Sequence, residues 1–368
     1  MRYQVFGNTG LKVSELCLGA MTFGEEWGWG SSEQESRAVF DAFAEADGNF
    51  IDTADVYTGG TSERLLGKFM GAERDRFVIA TKFTAAPGAP DPNAVGNGRK
   101  HILRAVEASL QRLGTDYIDV YWLHAWDYLT PIEEVMQAFD DLVRSGKVLY
   151  VGLSDTPSWV VARGQTLAEL RGATPLAGIQ IQYSLSERGV EADFFSLAES
   201  LDLGICCWSP LDQGLLSGKF GTGVGASSDS KRSGLHGGRI PEAKQAVVAE
   251  LERVARDLGC SASQLALRWI RQRSPRAIPI VGARTPSQIS ENLGAAALEL
   301  PGELFERLEQ VSRVAQAWPH GLLSSPAQVA FTYGGFFDRI RSERPLPIAG
   351  DAGEGLKSYV SGAGSDES

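Results

Sequence analysis

Four side chains of complementary chemistry stand at or near the ends of short apolar runs. Asp52 falls in the run 49–54, and Tyr57 follows five residues later. Lys82 comes near the end of 77–83, and His124 closes 117–124. A tyrosine hydroxyl ionises near pH 10, roughly three units too high for an efficient acid at neutrality. A close ammonium favours the phenolate and lowers that value. Asp52 would pair with Lys82, keeping it charged and in place. Tyr57 then becomes a proton donor to a developing alkoxide. His124 would hydrogen-bond the same oxygen and fix the orientation of a carbonyl. This set suits carbonyl reduction. It does not suit hydrolysis, because no nucleophile is paired with a base and no G-x-S-x-G elbow occurs. His124-Ala-Trp-Asp127 has no metal-ligand spacing, and His101, His236 and His320 lie in helix or loop contexts, so no metal is expected.

Such chemistry requires the four side chains at one end of one sheet. Eight strand-like runs occur, at 15–19, 49–54, 77–83, 117–124, 148–154, 177–184, 204–210 and 277–283. Between them lie segments with helical spacing: one from Ser32 through Val39, Phe40 and Phe43, one through Leu65, Leu66 and Phe69, then 101–113, 132–146, 157–170, 192–200, 243–258 and 263–273. A last helical segment, 286–293, follows the eighth run. Short apolar strands alternating with helices predict a parallel sheet covered on its outer side, and eight such units predict a (β/α)8 TIM barrel. Chemistry in that fold sits at the C-terminal ends of the strands, where the four residues fall. A doubly wound sheet is the other candidate, but no GxGxxG follows the first strand. The glycine-rich 221–225 sits in a Ser/Gly segment at 217–238 and reads as a loop.

The opening VFGNTGLKVS predicts an N-terminal β-hairpin, and long loops are expected after strands 3 (85–98) and 7 (212–240). Residues 1–315 are expected to form a single barrel domain. Residues 316–368 are expected to be a C-terminal extension that packs partly on the barrel through Phe331, Tyr333, Phe336 and Phe337, with a disordered end. The chain has 368 residues, 43% hydrophobic and 22% charged, which excludes a disordered, collagenous or coiled-coil protein. A net charge of −11 argues against nucleic acid or an anionic membrane as partner. No apolar stretch reaches membrane-spanning length and the N-terminus lacks a signal-peptide run. Cys17, Cys206, Cys207 and Cys260 have no CxxC spacing and read as buried, reduced thiols. A cytoplasmic protein is expected.

Several motifs occur together in one order: NFIDTADVYTGGTSERLLGKF, VIATKF, SLQRLGTDYIDVYWLH, GKVLYVGLSD, IQIQYSL, WSPLDQGLLSGKF and VGARTPSQISENLGA. On these the chain closely resembles the aldo-keto reductase family over roughly four fifths of its length. The resemblance implies a (β/α)8 barrel with Tyr57 as general acid/base and Asp52, Lys82 and His124 completing a tetrad. It implies NAD(P)H lying extended across the barrel mouth. Ser154, Asp155 and Gln180 match the residues that hold the carboxamide, and Trp208 matches the aromatic residue, usually Tyr, that stacks on the nicotinamide. Ser209, Pro210, Leu211, Gln213, Leu215, Ser217 and Lys219 match the segment around the pyrophosphate. Gly282, Arg284, Gln288, Glu291 and Asn292 match that around the adenosine ribose and its 2′-phosphate. Gly19 and Met21 complete the cofactor set. Asp155 departs from the family's Asn and cannot donate to a carboxamide oxygen. Arg284 is the single arginine of the phosphate segment, with Gln288 where many members carry a second; one guanidinium still binds phosphate well, so NADPH is expected ahead of NADH.

The substrate pocket is expected to be lined by Trp27, Trp29, Phe83 and Trp126 with the 212–238 loop. Such a mouth suits an apolar carbonyl compound. An aryl aldehyde, a quinone, a terpenoid ketone and a 3-keto sugar all remain open. So do two other functions: an NAD(P)+-dependent sugar or alcohol dehydrogenase working oxidatively, and a nucleotide-binding regulatory subunit with slow turnover, as in the potassium-channel β subunits that resemble the family. Oligomeric state is not legible.

Overall fold

The computed structural model describes residues 1–86, 91–218 and 241–340. Lys219, the glycine-rich 221–225, most of the loop before residue 241 and the tail after 340 lie outside the described residues.

The chain opens with two short antiparallel strands, β1 (Tyr3–Val5) and β2 (Lys12–Ser14), paired from Tyr3↔Ser14 to Val5↔Lys12. The barrel then starts with β3 (Cys17–Gly19), followed by helix α1 (Glu33–Glu45). Ser32 caps α1: its hydroxyl accepts from the Glu35 amide while the Glu35 carboxylate accepts from the Ser32 N–H. That reciprocal pair satisfies two donors which a helix start would otherwise leave bare. Next come β4 (Phe50–Asp52), α2 (Thr61–Met70), β5 (Val78–Phe83), α3 (Arg99–Leu113), β6 (Ile118–Leu123) and α4 (Ile132–Arg144). The second half runs β7 (Val148–Ser154), α5 (Ser158–Arg171), β8 (Leu176–Gln182), α6 (Phe194–Ser200) and β9 (Gly204–Trp208). Two helices, α7 (Glu242–Leu258) and α8 (Ala262–Arg273), precede β10 (Ala277–Gly282), after which α9 (Pro286–Leu293) and α10 (Gly302–Val311) follow.

Strands β3 to β10 form a closed parallel barrel in sequence order, with β10 returning to β3 at Ile280↔Cys17. The expected (β/α)8 fold is thus observed, hairpin included. Two aromatic rings fill much of the interior. Phe6, carried in by the hairpin, meets Phe50 and Trp122 edge-on at 5.7 and 6.2 Å between centroids. Room for them comes from glycines on the facing strands: a Cβ at Gly204 would lie 2.4 Å from the Phe6 ring, and one at Gly152 2.2 Å from the Trp122 indole. Each such buried side chain contributes about 2–3 kcal/mol of burial energy. With Phe6 and Trp122 occupying its interior, the barrel leaves its C-terminal end for chemistry.

Side-chain parity fixes what reaches that end. Along β5, Val78 and Ala80 belong to the interior cluster with Val120 and Trp122 of β6. Lys82 shares their face, whereas Thr81 and Phe83 point out toward the helices.

By contact density the chain divides into two units, Met1–Arg188 with Leu197–Ser312, and Gly189–Ser196 with the residues from Arg313 on. The second unit contains α11 (His320–Leu323) and α12 (Pro326–Tyr333). In it Tyr333 and Phe337 pack on buried Val329, while Phe331 and Phe336 are exposed. No helix among the described residues is long and apolar enough to cross a membrane. Cys17, Cys206 and Cys207 are buried free thiols and Cys260 is half-buried.

Candidate active site

The structure brings Asp52, Tyr57, Lys82 and His124 together at the C-terminal end of the barrel. Lys82 is completely buried, and each proton of its ammonium finds an acceptor: Asp52 Oδ2 at 2.5 Å, the Thr53 carbonyl at 2.7 Å and Tyr57 Oη at 3.1 Å. The other Asp52 oxygen accepts from the Gln180 side-chain amide at 2.8 Å. The Tyr57 ring is half-buried, with Lys82 Nζ 4.7 Å from its centroid and the His124 ring 5.9 Å away at 79°. Tyr57 opens a tight turn in which Thr58 and Gly59 take positive φ of 48° and 63°. The Thr58 hydroxyl anchors that turn by donating to the Phe23 carbonyl at 2.6 Å.

An ammonium can only donate. The phenol oxygen therefore accepts from Lys82, and its own O–H is free to point outward into the mouth. Burial alone would weaken the ammonium, but the charges of Asp52 and Tyr57 outweigh it and hold Lys82 above an ordinary lysine. Burial pushes the Asp52 carboxyl upward, with Lys82 and Gln180 pulling it back. One expectation is corrected here. Lys82 does draw the Tyr57 pKa down, but burial is the stronger influence and the net direction is up. The hydroxyl thus stays protonated at neutrality, the state a donor needs, and the help to proton transfer must come from Lys82 facing the phenolate as it forms, not from a lowered resting pKa. Burial, then the repulsion of Lys82, lowers His124 to about 3. Its imidazole is neutral, with Nδ1 buried and lacking a partner among the described residues. His124 can orient an oxygen by hydrogen bonding but cannot act as the acid.

On the β7–β9 side, Ser154 pairs in register with Gln180. The Ser154 hydroxyl is buried without a partner among the described residues. Asp155 sits just past the strand at φ 41°. Its N–H donates to the Gln180 carbonyl at 3.1 Å, and its own carbonyl accepts from the Trp126 N–H at 3.3 Å. Trp208 Nε1 donates to Asp155 Oδ1 at 2.9 Å. Gly19 ends β3 beside Gly282 of β10, and Met21 is exposed just beyond.

Past β9 the backbone twists through positive φ at Ser209, Asp212 and Gln213. The Ser209 hydroxyl accepts from the Gln213 N–H at 3.0 Å. Asp212 pins the segment, buried against Lys244 at 2.7 Å and Ser186 at 2.7 Å. Pro210 and Leu215 are buried and Leu211 half-buried, so Pro210 and Leu215 can offer a ligand only their backbone. The Ser217 hydroxyl donates to the Gly214 carbonyl, and Gln213 Oε1 is buried without a partner. At the barrel's closing edge, Thr285 caps α9 and the Arg284 N–H donates to Gln288 Oε1 at 2.9 Å. Glu291 is exposed and Asn292 buried in α9.

These groups fit a nicotinamide nucleotide. The orphaned Ser154 hydroxyl and the second Asp155 oxygen suit a carboxamide, and the positive-φ segment and Arg284 suit phosphates. Among the described residues no cluster of His, Cys, Asp and Glu could hold a metal ion.

Of the expected substrate-lining residues, Trp27 packs edge-on against Tyr57 at 6.2 Å and lies tilted by 35° against Trp29 at 5.3 Å. Trp126 is half-buried beside Asp155. Phe83 is a correction. It is fully buried on the outer face of β5, stacked on Tyr121 at 5.1 Å and edge-on to Phe139 of α4. Neighbouring strand residues face opposite ways, so Lys82 pointing in obliges Phe83 to point out. Two participants escaped the sequence reading. The Thr53 carbonyl, a backbone group, carries no side-chain signal. The amide of Gln180, read only as a carboxamide holder, also braces Asp52.

Residues 15–313 match the aldo/keto reductase family. Norsolorinic acid reductase of Aspergillus flavus is 34% identical over 332 residues, covering 87% of this chain and 84% of that protein. Norsolorinic acid reductase B of Aspergillus parasiticus is 36% identical over 328 residues, 85% of each chain. The NADP(+) aryl-alcohol dehydrogenase of Phanerodontia chrysosporium is 34% identical over 369 residues, covering 93% of this chain and 94% of that protein. The chain belongs to the aldo/keto reductase family and is an oxidoreductase.

Proposed function

We propose that this enzyme uses NADPH to reduce an aromatic aldehyde or ketone to the alcohol. The single observation that carries the reading is the exhausted ammonium of Lys82, which leaves the Tyr57 O–H free at a half-buried position. Bound NADPH supplies the hydride to the carbonyl carbon. Tyr57 donates its phenolic proton to the carbonyl oxygen as negative charge develops there. Lys82 then faces the phenolate and stabilises it, and Asp52, braced by Gln180, keeps Lys82 in place. Neutral His124 holds the same oxygen at the angle that presents the carbon. With the nucleotide bound, Ser154 and Asp155 would hold its carboxamide, Trp208 would offer a stacking face, residues 209–217 would meet the pyrophosphate and Arg284 the 2′-phosphate. Trp27, Trp29 and Trp126 suit a flat apolar substrate, in keeping with relatives named for norsolorinic acid and aryl alcohols.

The alcohol-oxidising direction needs Tyr57 as phenolate. Because burial raises its pKa, oxidation should gain rate toward alkaline pH while reduction stays flat across neutrality. The decisive experiment follows oxidation of NADPH with aryl aldehydes, quinones and cyclic ketones. Tyr57→Phe should lower kcat by at least about a thousandfold, at the upper end for losing a general acid, while nucleotide binding persists. Ordinary turnover in that variant would remove Tyr57 as the acid.

A further inference from the structure

Among the described residues, the tetrad at the barrel mouth contributes little net charge. Lys82 and Asp52 form a contact pair of opposite sign at 2.5 Å. Tyr57 is a protonated phenol and His124 a neutral imidazole. The Asp155 carboxylate is a further charge there; burial raises its pKa, while the Trp208 hydrogen bond and the charge of Lys82 draw it back. The Asp155 backbone is tied on both sides, to Gln180 on β8 and to Trp126 beyond β6. One carboxylate oxygen is held by the Trp208 indole N–H at 2.9 Å. The other has no protein partner among the described residues. A carboxylate held this way beside a half-buried indole is oriented by its backbone ties and the indole N–H, with its outer edge exposed to solvent.

The two redox states of a nicotinamide differ in charge at this spot: the oxidised ring carries one positive charge and the reduced ring none. We propose that Asp155, locked by Trp208, makes this enzyme bind the oxidised nucleotide preferentially over the reduced one. The inference rests on the nicotinamide lying beside Ser154, Asp155 and Trp208. The carboxylate does more than accept a carboxamide N–H, since it attracts only the cationic ring. The Lys82–Asp52 pair has little net charge to offset it. At an effective dielectric of about 20 and a few ångströms' separation, and allowing for solvent at the mouth, the preference amounts to about tenfold.

The test measures dissociation constants of NADP+, NADPH, NAD+ and NADH, by quenching of tryptophan fluorescence, for the wild type and Asp155→Asn. Asparagine keeps an acceptor for the Trp208 N–H and tolerates positive φ, so the variant should fold. The expected result is an oxidised nucleotide bound about tenfold more weakly and a reduced one within about twofold of wild type. The shift should be equal for the phosphorylated and unphosphorylated pairs, because the charge acts on the ring. Equal weakening of both redox forms, or no change in their ratio, would overturn the proposal and leave Asp155 as a carboxamide holder. Failure of the wild type to bind any of the four nucleotides would overturn the functional reading itself, and this proposal with it.

Discussion

Strand β5 carries two buried ion-pair networks, one on each face, and only one of them serves chemistry. On the inner face Lys82 pairs with Asp52 and reaches Tyr57. On the outer face the Thr81 hydroxyl donates to Glu63 Oε1 at 2.6 Å, and Glu63 is bound by Arg112 at 2.5 Å. Glu63 is as inaccessible as Lys82. Both networks join a buried ion to partners from other elements, so burial and charge pairing do not distinguish them. The inner network ends in a half-buried hydroxyl whose proton is uncommitted. The outer one ends in Arg112, which ties α3 to α2 and offers no transferable proton at physiological pH. What marks a reactive site here is the loose end.

Breaking each network should expose that difference. Lys82→Met should lower kcat by at least about a thousandfold, through loss of the charge facing the phenolate, and should destabilise the fold by about 3–5 kcal/mol by leaving Asp52 unpaired in the interior. Glu63→Gln should cost about 3 kcal/mol of stability, at the lower end for breaking such a pair, with kcat within about threefold of wild type. Steady-state kinetics beside thermal unfolding separate the two. A Glu63 variant that loses activity as Lys82→Met does would erase the distinction.

Asp55 sharpens the comparison because it adjoins both networks. Its N–H donates to the Lys82 carbonyl, while its carboxyl has one buried oxygen without a partner. Burial, then the charge of Glu63, raises it to about 7. The sign follows from linkage. Between an ordinary aspartate value near 3.9 and this raised one, the folded state binds a proton that the unfolded state has lost, so stability falls as pH rises through that window. Asp55→Asn should remove the fall, stabilising the protein by about 1–3 kcal/mol at pH 8 and by almost nothing at pH 4. Urea melts at the two pH values measure it, and a gain equal at both would refute the assignment.

The contrast also shows what a sequence makes legible. The eight strands were readable because each apolar run is short and separated from the next by a helical segment, and the mouth residues because Asp52, Lys82, His124 and Ser154 fall at or near the ends of four of those runs. The resemblance supplied the cofactor segments. Three things were hidden. The direction of the Tyr57 shift depends on how deeply the ring lies, which no spacing reports. Glu63 and Arg112 stand 49 residues apart, and nothing local links them. Helix α10, which no reading anticipated, carries its apolar Phe305 and Leu308 on a helical spacing that a closer count could have found.

Phe83 was misplaced for a reason that the sequence itself held. If Lys82 is to reach Asp52 inside the barrel, period-two alternation sends its neighbour outward. The smallest expected effect therefore makes the finest test of the two faces. Phe83→Leu removes part of a ring packed between Tyr121 and Phe139. Both residues are large and apolar, so the loss should stay near about 1–1.5 kcal/mol. KM for every aromatic substrate should be unchanged, because the ring is sealed behind the strand. Trp27→Leu, on the exposed side of Tyr57, should raise KM about tenfold at little cost in stability, at the level of losing one aromatic contact of about 1.4 kcal/mol. If Phe83→Leu moved KM and Trp27→Leu did not, the strand's facing would be the reverse of that described.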